Sequence, residues 1–97
     1  MPSCRSSGVL TASAVVNAGR CKLISIHVTN LGAGADTTVK LFDNASAASG
    51  TELSRIVTSP QIGPTEFDMH GVICLNGLYL EISTGAGTGA AVSVEFA

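Results

Sequence analysis

Apolar and polar residues alternate in short runs along most of this chain, and Gly, Pro, Asn or Asp interrupts each run. A period of two puts successive side chains on opposite faces of a strand, so these runs predict β-structure with one dry and one wet face. The first run is Gly8 to Val16, with Leu10, Ala12, Ala14 and Val16 on one side and Thr11, Ser13 and Val15 on the other. Asn17-Ala18-Gly19-Arg20 is a compact turn. The second run, Cys21 to Asn30, is the most β-prone of the chain; Ile24, Ile26 and Val28 face one way, Leu23, Ser25, His27 and Thr29 the other. These two strands are expected to form a hairpin. The third strand starts at Thr37 and alternates Val39 and Leu41 with Lys40 up to Phe42. Asp43-Asn44 stops it with side chains that bond nearby backbone.

A loop of small residues, Ala45-Ser46-Ala47-Ala48-Ser49-Gly50, leads into a fourth strand over Glu52 to Thr58. Pro60, Gly63 and Pro64 mark a long crossing loop. A fifth strand covers Thr65 to His70, with Phe67 and Met69 expected inward and Glu66, Asp68 and His70 outward. Gly71 leads into Val72 to Leu75, and Asn76-Gly77 before Leu78, Leu80 and Ile82 is a two-residue hairpin signal. After the Thr84 to Gly89 loop, Ala90 to Phe96 closes the pattern with Val92, Val94 and Phe96 on one side. No segment sustains a helical period. Seven or eight short strands with regular turn signals predict an all-β chain, an antiparallel β-sandwich of jelly-roll or immunoglobulin-like order, with a small β-barrel as the alternative. Met1, Pro2, Ser3, Cys4, Arg5, Ser6 and Ser7 lack periodicity and are expected to be an N-terminal arm, disordered or ordered only against a neighbour. Residues 8–97 are expected to be a single domain.

Composition sharpens this picture. Apolar residues make up 45% of the 97 residues, enough for a core, while charged residues are only 12%, about half the usual share of a soluble domain. Ala, Gly, Ser and Thr must then cover the surface, which favours burial of much of it by other subunits. The net charge is −2, and Arg5, Arg20, Lys22, Lys40 and Arg55 are scattered along the sequence. No basic patch supports nucleic-acid binding, and the apolar runs are too short for a membrane-spanning helix. Ala12-Ser13-Ala14 resembles a cleavage signal, but the apolar stretch before it is too short for a signal peptide.

Cys4, Cys21 and Cys74 fit neither CxxC nor zinc-knuckle spacing. A Cys4–Cys21 bridge is one option; three reduced thiols, with Cys21 and Cys74 as small apolar strand residues, is the favoured one. Glu66, Asp68 and His70 share a strand face as a candidate cation site, yet a solvated outer face explains them as well. His27 shares its predicted face with Cys21, but Cys–His catalysis also needs hydrogen-bond reach and an oxyanion site. The loops Gly32-Ala33-Gly34 and Gly85-Ala86-Gly87-Thr88-Gly89 lack the helix and the Lys that phosphate binding uses. Sugar binding would need aromatic platforms, and this chain has only Tyr79 and three Phe. No catalytic, metal or cofactor-binding residue is therefore assigned.

Three longer stretches carry more identity than any cluster of reactive groups: GVLTASAVVNAGRCKLISIHVTN, TTVKLFDNASAASGTEL and NGLYLEISTGAGTGAAVSVEF. Together they resemble small virion proteins of tailed bacteriophages, in which a GxLTASAVV opening, a KLxSIxVxN strand, a VxLFDNxSAxSGTxL strand-loop and a GLYxxxSTG strand follow in this order. The resemblance spans Gly8 to Phe96. It implies a non-enzymatic structural role without cofactors, as a head decoration or cement protein on the outside of the shell, assembled in the host cytoplasm. The implied partners are the major capsid protein and further copies of itself, as a trimer. A neck, tail or fibre-associated role is the alternative, and a carbohydrate or host-surface binding module a second one. The candidate interface is the arm, Met1 to Arg5, and the loop Ala45 to Gly50.

Overall fold

The computed structural model describes residues 4–30, 36–59, 65–84 and 90–97. Eight strands form: β1 (Arg5–Ser6), β2 (Ala14–Asn17), β3 (Cys21–Asn30), β4 (Thr37–Asp43), β5 (Thr51–Thr58), β6 (Thr65–Cys74), β7 (Leu78–Thr84) and β8 (Ala90–Phe96). They make two four-stranded antiparallel sheets, ordered β1-β8-β3-β6 and β2-β7-β4-β5. The first strand pairs with the last, the second with the seventh, the third with the sixth and the fourth with the fifth. One long antiparallel ribbon has thus been rolled over itself, which is the jelly-roll order. That order sets aside the immunoglobulin-like key, and the two separate sheets set aside the closed barrel.

The sheets pack over a core supplied by alternate residues. Leu23, Ile26, Val28, Val39, Leu41, Leu78, Leu80, Val92 and Val94 are each exposed by 1% or less. Burying one such side chain stabilises the fold by roughly 1.5–3 kcal/mol. Outside the core, Val9, Val15, Val57, Phe67, Ile73 and Leu75 are exposed.

Several sequence expectations change. The predicted hairpin between Gly8–Val16 and Cys21–Asn30 does not form. β2 is shorter than expected and pairs with β7, while β3 lies in the opposite sheet. Of the residues before β2, Leu10 makes a single bridge to Val92. Asn76-Gly77 likewise carries the chain from one sheet to the other. Turn residues specify a local reversal, and the same reversal can join strands within a sheet or across the sandwich. The Asn17 side-chain amide donates to the Gly19 carbonyl at 2.7 Å and holds the first of these crossings.

The face assignment of β3 also shifts midway. A bulge lies between Leu23 and Ser25 in its pairing with both β6 and β8. Cys21 and Leu23 therefore point inward, and beyond the bulge Ile26 and Val28 do. The extra residue changes the phase of the alternation, which strict periodicity misses. Opposite this bulge, β6 runs on through His70 and Gly71, with φ of 55° and 82°. The two strands expected on either side of Gly71 are thus one bent strand. Phe67, expected inward, is 42% exposed, because β6 is the outer edge of its sheet and, among the described residues, no strand flanks it there.

The arm is shorter than expected. Arg5 and Ser6 pair with Phe96 and Glu95, the Ser7 amide donates to the Val94 carbonyl at 2.8 Å, and the Val94 amide donates to Ser7 Oγ at 2.9 Å. The Arg5 guanidinium sits 4.6 Å from the centre of the Phe96 ring. Residues 5–7 are ordered by their own chain. Met1, Pro2 and Ser3 lie outside the described residues, as do the Gly32–Gly34 loop, the Pro60–Pro64 crossing and the Gly85–Gly89 loop.

Candidate interaction surface

One end of the sandwich gathers several of the sequence's unexplained features. The ends of β2, β4, β6 and β8 and the starts of β1, β3, β5 and β7 meet there. The loop after β4 is the best organised part. Asn44 Oδ1 accepts the Ser46 and Ala47 amides at 2.8 and 2.9 Å. Asn44 Nδ2 donates to Ser49 O and Ser49 Oγ at 3.2 and 3.1 Å. Gly50 closes the loop with φ of 85°. One asparagine side chain thus satisfies both sides of the turn, the chemistry expected of Asx residues.

Asp43 does something the local pattern did not reveal. Its carboxylate accepts the amides of Asn76, Leu75 and Gly77 at 2.7, 3.1 and 3.3 Å. The bond from Asn76 is the largest influence on its pKa, which lies below the ordinary carboxylate value against a smaller opposing effect of desolvation. These bonds pin the 43–50 loop to the β6–β7 crossing. The fit is close: a Cβ on Gly77 would lie 2.8 Å from both Ala45 Cα and the Asn17 carbonyl oxygen. Ser46, Ala47, Ser49 and Gly50 remain exposed, with Ala45 and Ala48 half-buried. The small-residue loop is therefore a fixed projection held against two crossings of the chain, β2–β3 and β6–β7.

Beside it lies a cleft of about 640 Å3 on the same end of the β1-β8-β3-β6 sheet. Ile24 and Ile73 supply apolar lining, Arg20 and Lys22 supply cations, and Cys4 and His70 complete its walls. Ile73 and Leu75 are 49% and 62% exposed. Arg5, Arg20 and Lys22, three of the five Lys and Arg residues, lie at this end although they looked scattered in the sequence. A protein of net negative charge thus places two cations on one partly apolar cleft, while Asp43 and Glu52 lie at the same end of the sandwich. Both described parts of the sequence-predicted interface, Cys4 and Arg5 on one side and Ala45 to Gly50 on the other, belong to it.

The sequence-predicted chemical clusters resolve differently. Cys21 faces the core while His27 faces outward, because the β3 bulge separates them, so they form no pair. His27 instead lies between two carboxylates: Nδ1 is 3.1 Å from Glu66 and Nε2 is 3.2 Å from Glu95. Ser25 Oγ lies 3.4 Å from His27 Nε2 and donates to Glu95. The Ser25 hydroxyl is the first cause, and His27 the second, of a Glu95 pKa below the ordinary value. Ser25, His27 and Glu66 have the order of a nucleophile, base and orienting acid. However, Glu95 accepts the hydrogen bond of the serine hydroxyl and also engages the same ring nitrogen. The surrounding amides of Ser25 and His27 sit on a strand paired on both sides, which leaves no evident donor pair for an oxyanion. The cluster is a cross-strand polar network on a sheet face.

Glu66 is thus drawn to His27, away from the predicted cation site, while Asp68 accepts the His70 amide at 2.9 Å. Among the described residues no group of three His, Cys, Asp or Glu is arranged to hold a metal. Also among the described residues, no helix is long and apolar enough to cross a membrane. No family model, no curated protein and no solved structure matches this chain.

Proposed function

We propose that this chain is a structural virion protein of a tailed bacteriophage, a decoration or cement protein that binds the outer surface of the head across neighbouring major capsid protein subunits. The observation that carries the reading is the convergence at one end of the sandwich. A rigid small-residue projection, a cationic cleft and exposed Ile73 and Leu75 stand together there. A cement protein needs a stiff scaffold with a pre-organised surface, because little ordering cost is then charged against each attachment. Its individual contacts are modest, and many copies act together. The sequence resemblance supplies the particle; the eight-strand jelly roll is an architecture that viral capsid proteins also use, an analogy of fold alone. The cations of the cleft, Arg20 and Lys22, suit an acidic seam on the shell. The low charge of the chain suits trimerisation through its remaining surface.

The test uses purified shells and the full chain. Ile73→Asp and Leu75→Asp alter exposed side chains, so the melting temperature should stay within a few degrees of wild type. Binding to shells should fall at least tenfold. Unchanged binding by both variants, or retention of the chain by bare sugar resins but not by shells, would overturn the assignment.

A further inference from the structure

Cys21 opens β3 and Cys74 closes β6, and the two are direct partners in the antiparallel register. Both side chains enter the core, at 4% and 0% exposure, and both are free thiols. Directly opposed antiparallel residues have Cα atoms about 4.5–5.5 Å apart, within the roughly 4.4–6.8 Å that a disulfide spans. Their side chains share one face, so neither strand has to slide for the sulfurs to meet. The sequence offered Cys4 as the candidate partner for Cys21; Cys4 is exposed ahead of β1 and lines the same cleft, whereas Cys74 lies directly across the ladder from Cys21.

We propose that Cys21 and Cys74 are a dithiol site that accepts an intramolecular disulfide, which staples the open edge strand β6 to β3 when the protein meets an oxidising medium. The oxidant is a low-molecular-weight disulfide such as glutathione disulfide. Cys21 reacts first because it lines the cleft, whereas Cys74 is fully enclosed. The Cys21 thiolate attacks one sulfur of the reagent, forms a mixed disulfide and expels one thiolate. The Cys74 thiol then loses its proton and attacks Cys21 Sγ, expelling the second thiolate. Two protons leave the protein, which is oxidised by two electrons, and the reagent is reduced to two thiols. Burial first, and then the neighbouring Cys21, push the Cys74 thiol up to about 12. The second step is therefore slow near neutrality and accelerates with pH.

The proposal does not depend on the virion reading. Its test is thiol counting on the full chain before and after treatment with glutathione disulfide, by alkylation under denaturing conditions and mass measurement. The reduced chain should take up alkylating agent at three cysteines. The oxidised chain should take it up at Cys4 alone, be lighter by two hydrogens, and give a linked Cys21–Cys74 peptide on digestion. Bridging should rise in rate between about pH 7 and pH 9. Because the bridge closes a long loop, the melting temperature should increase on the order of 10–20 °C and return on reduction. Cys4→Ala should bridge as wild type does. A Cys4–Cys21 peptide, a failure of Cys4→Ala to bridge, three alkylatable thiols after oxidation, or a bridge without thermal stabilisation would each overturn the proposal.

Discussion

Asp43 links two parts of the chain that are far apart in sequence, and its three amide partners give it measurable weight. Replacement by Ala leaves those donors to water and should cost roughly 1–2 kcal/mol in denaturant unfolding at neutral pH. The folded-state pKa of Asp43 is lowered, chiefly by the Asn76 amide. Its contribution is therefore present above the unfolded carboxylate pKa and is lost as pH falls through the folded value. The stability gap between wild type and Asp43→Asn should be open at pH 7 and should narrow as the pH falls below the ordinary carboxylate value of about 3.9. A gap independent of pH would show that the charge plays no part. Gly77 marks the same junction from the steric side. Its φ of 154° and the 2.8 Å approaches of Ala45 Cα and the Asn17 oxygen exclude a side chain. Gly77→Ala should destabilise by roughly 1–3 kcal/mol. Thr37 and Thr58 make the opposite case. They face each other across β4 and β5, fully buried, and their hydroxyls have no hydrogen-bond partner among the described residues. Thr37→Val or Thr58→Val should raise the denaturation midpoint, since an unmatched buried hydroxyl costs about 1–3 kcal/mol.

Most strands were legible in the sequence because alternation reports a half-buried strand directly: Val39 and Leu41, Leu78 and Leu80, and Val92 and Val94 all face the core as their spacing predicts. The pairing was less legible, for a physical reason. Asn17 to Arg20 and Asn76-Gly77 encode reversals, and a reversal does not specify which sheet receives the next strand. The bulge at Ile24 left one mark in the sequence, the adjacent apolar pair Leu23-Ile24 where the alternation slips by one, and a strict period of two reads past it. The cleft was hidden by distance along the chain, since only folding brings Cys4 and His70 to the same walls as Arg20 and Lys22. The Asn44 turn chemistry, by contrast, was legible because Asx turns are local. β1 yields a prediction at this scale. Removal of residues 1–4 should leave the melting temperature within a few degrees of wild type and weaken shell attachment. Removal of residues 1–7 takes away β1 and the Ser7–Val94 pair and should lower the melting temperature clearly. Equal melting temperatures for the two truncations would show that β1 adds nothing to the sheet.

At the scale of the whole molecule, the rolled ribbon explains how so thin a core is held. The pairing runs from the sequence-distant β1·β8 to the local β4·β5 hairpin, and most of the inward side chains come from the central strands β3, β4, β7 and β8. That leaves β5 and β6 as long open edges, with exposed Val57 on the first and Phe67 on the second. Open apolar edges favour association with another chain, and under the proposal above they are the surface for the trimer, with the cleft end left for the shell. The most direct test is the copy number of this chain in purified virions, measured by quantitative mass spectrometry against the major capsid protein. The account predicts hundreds of copies per particle, in a fixed ratio to the shell protein. A dozen copies or fewer would move the protein to the neck or tail, and its absence from the particle would contradict the virion role altogether.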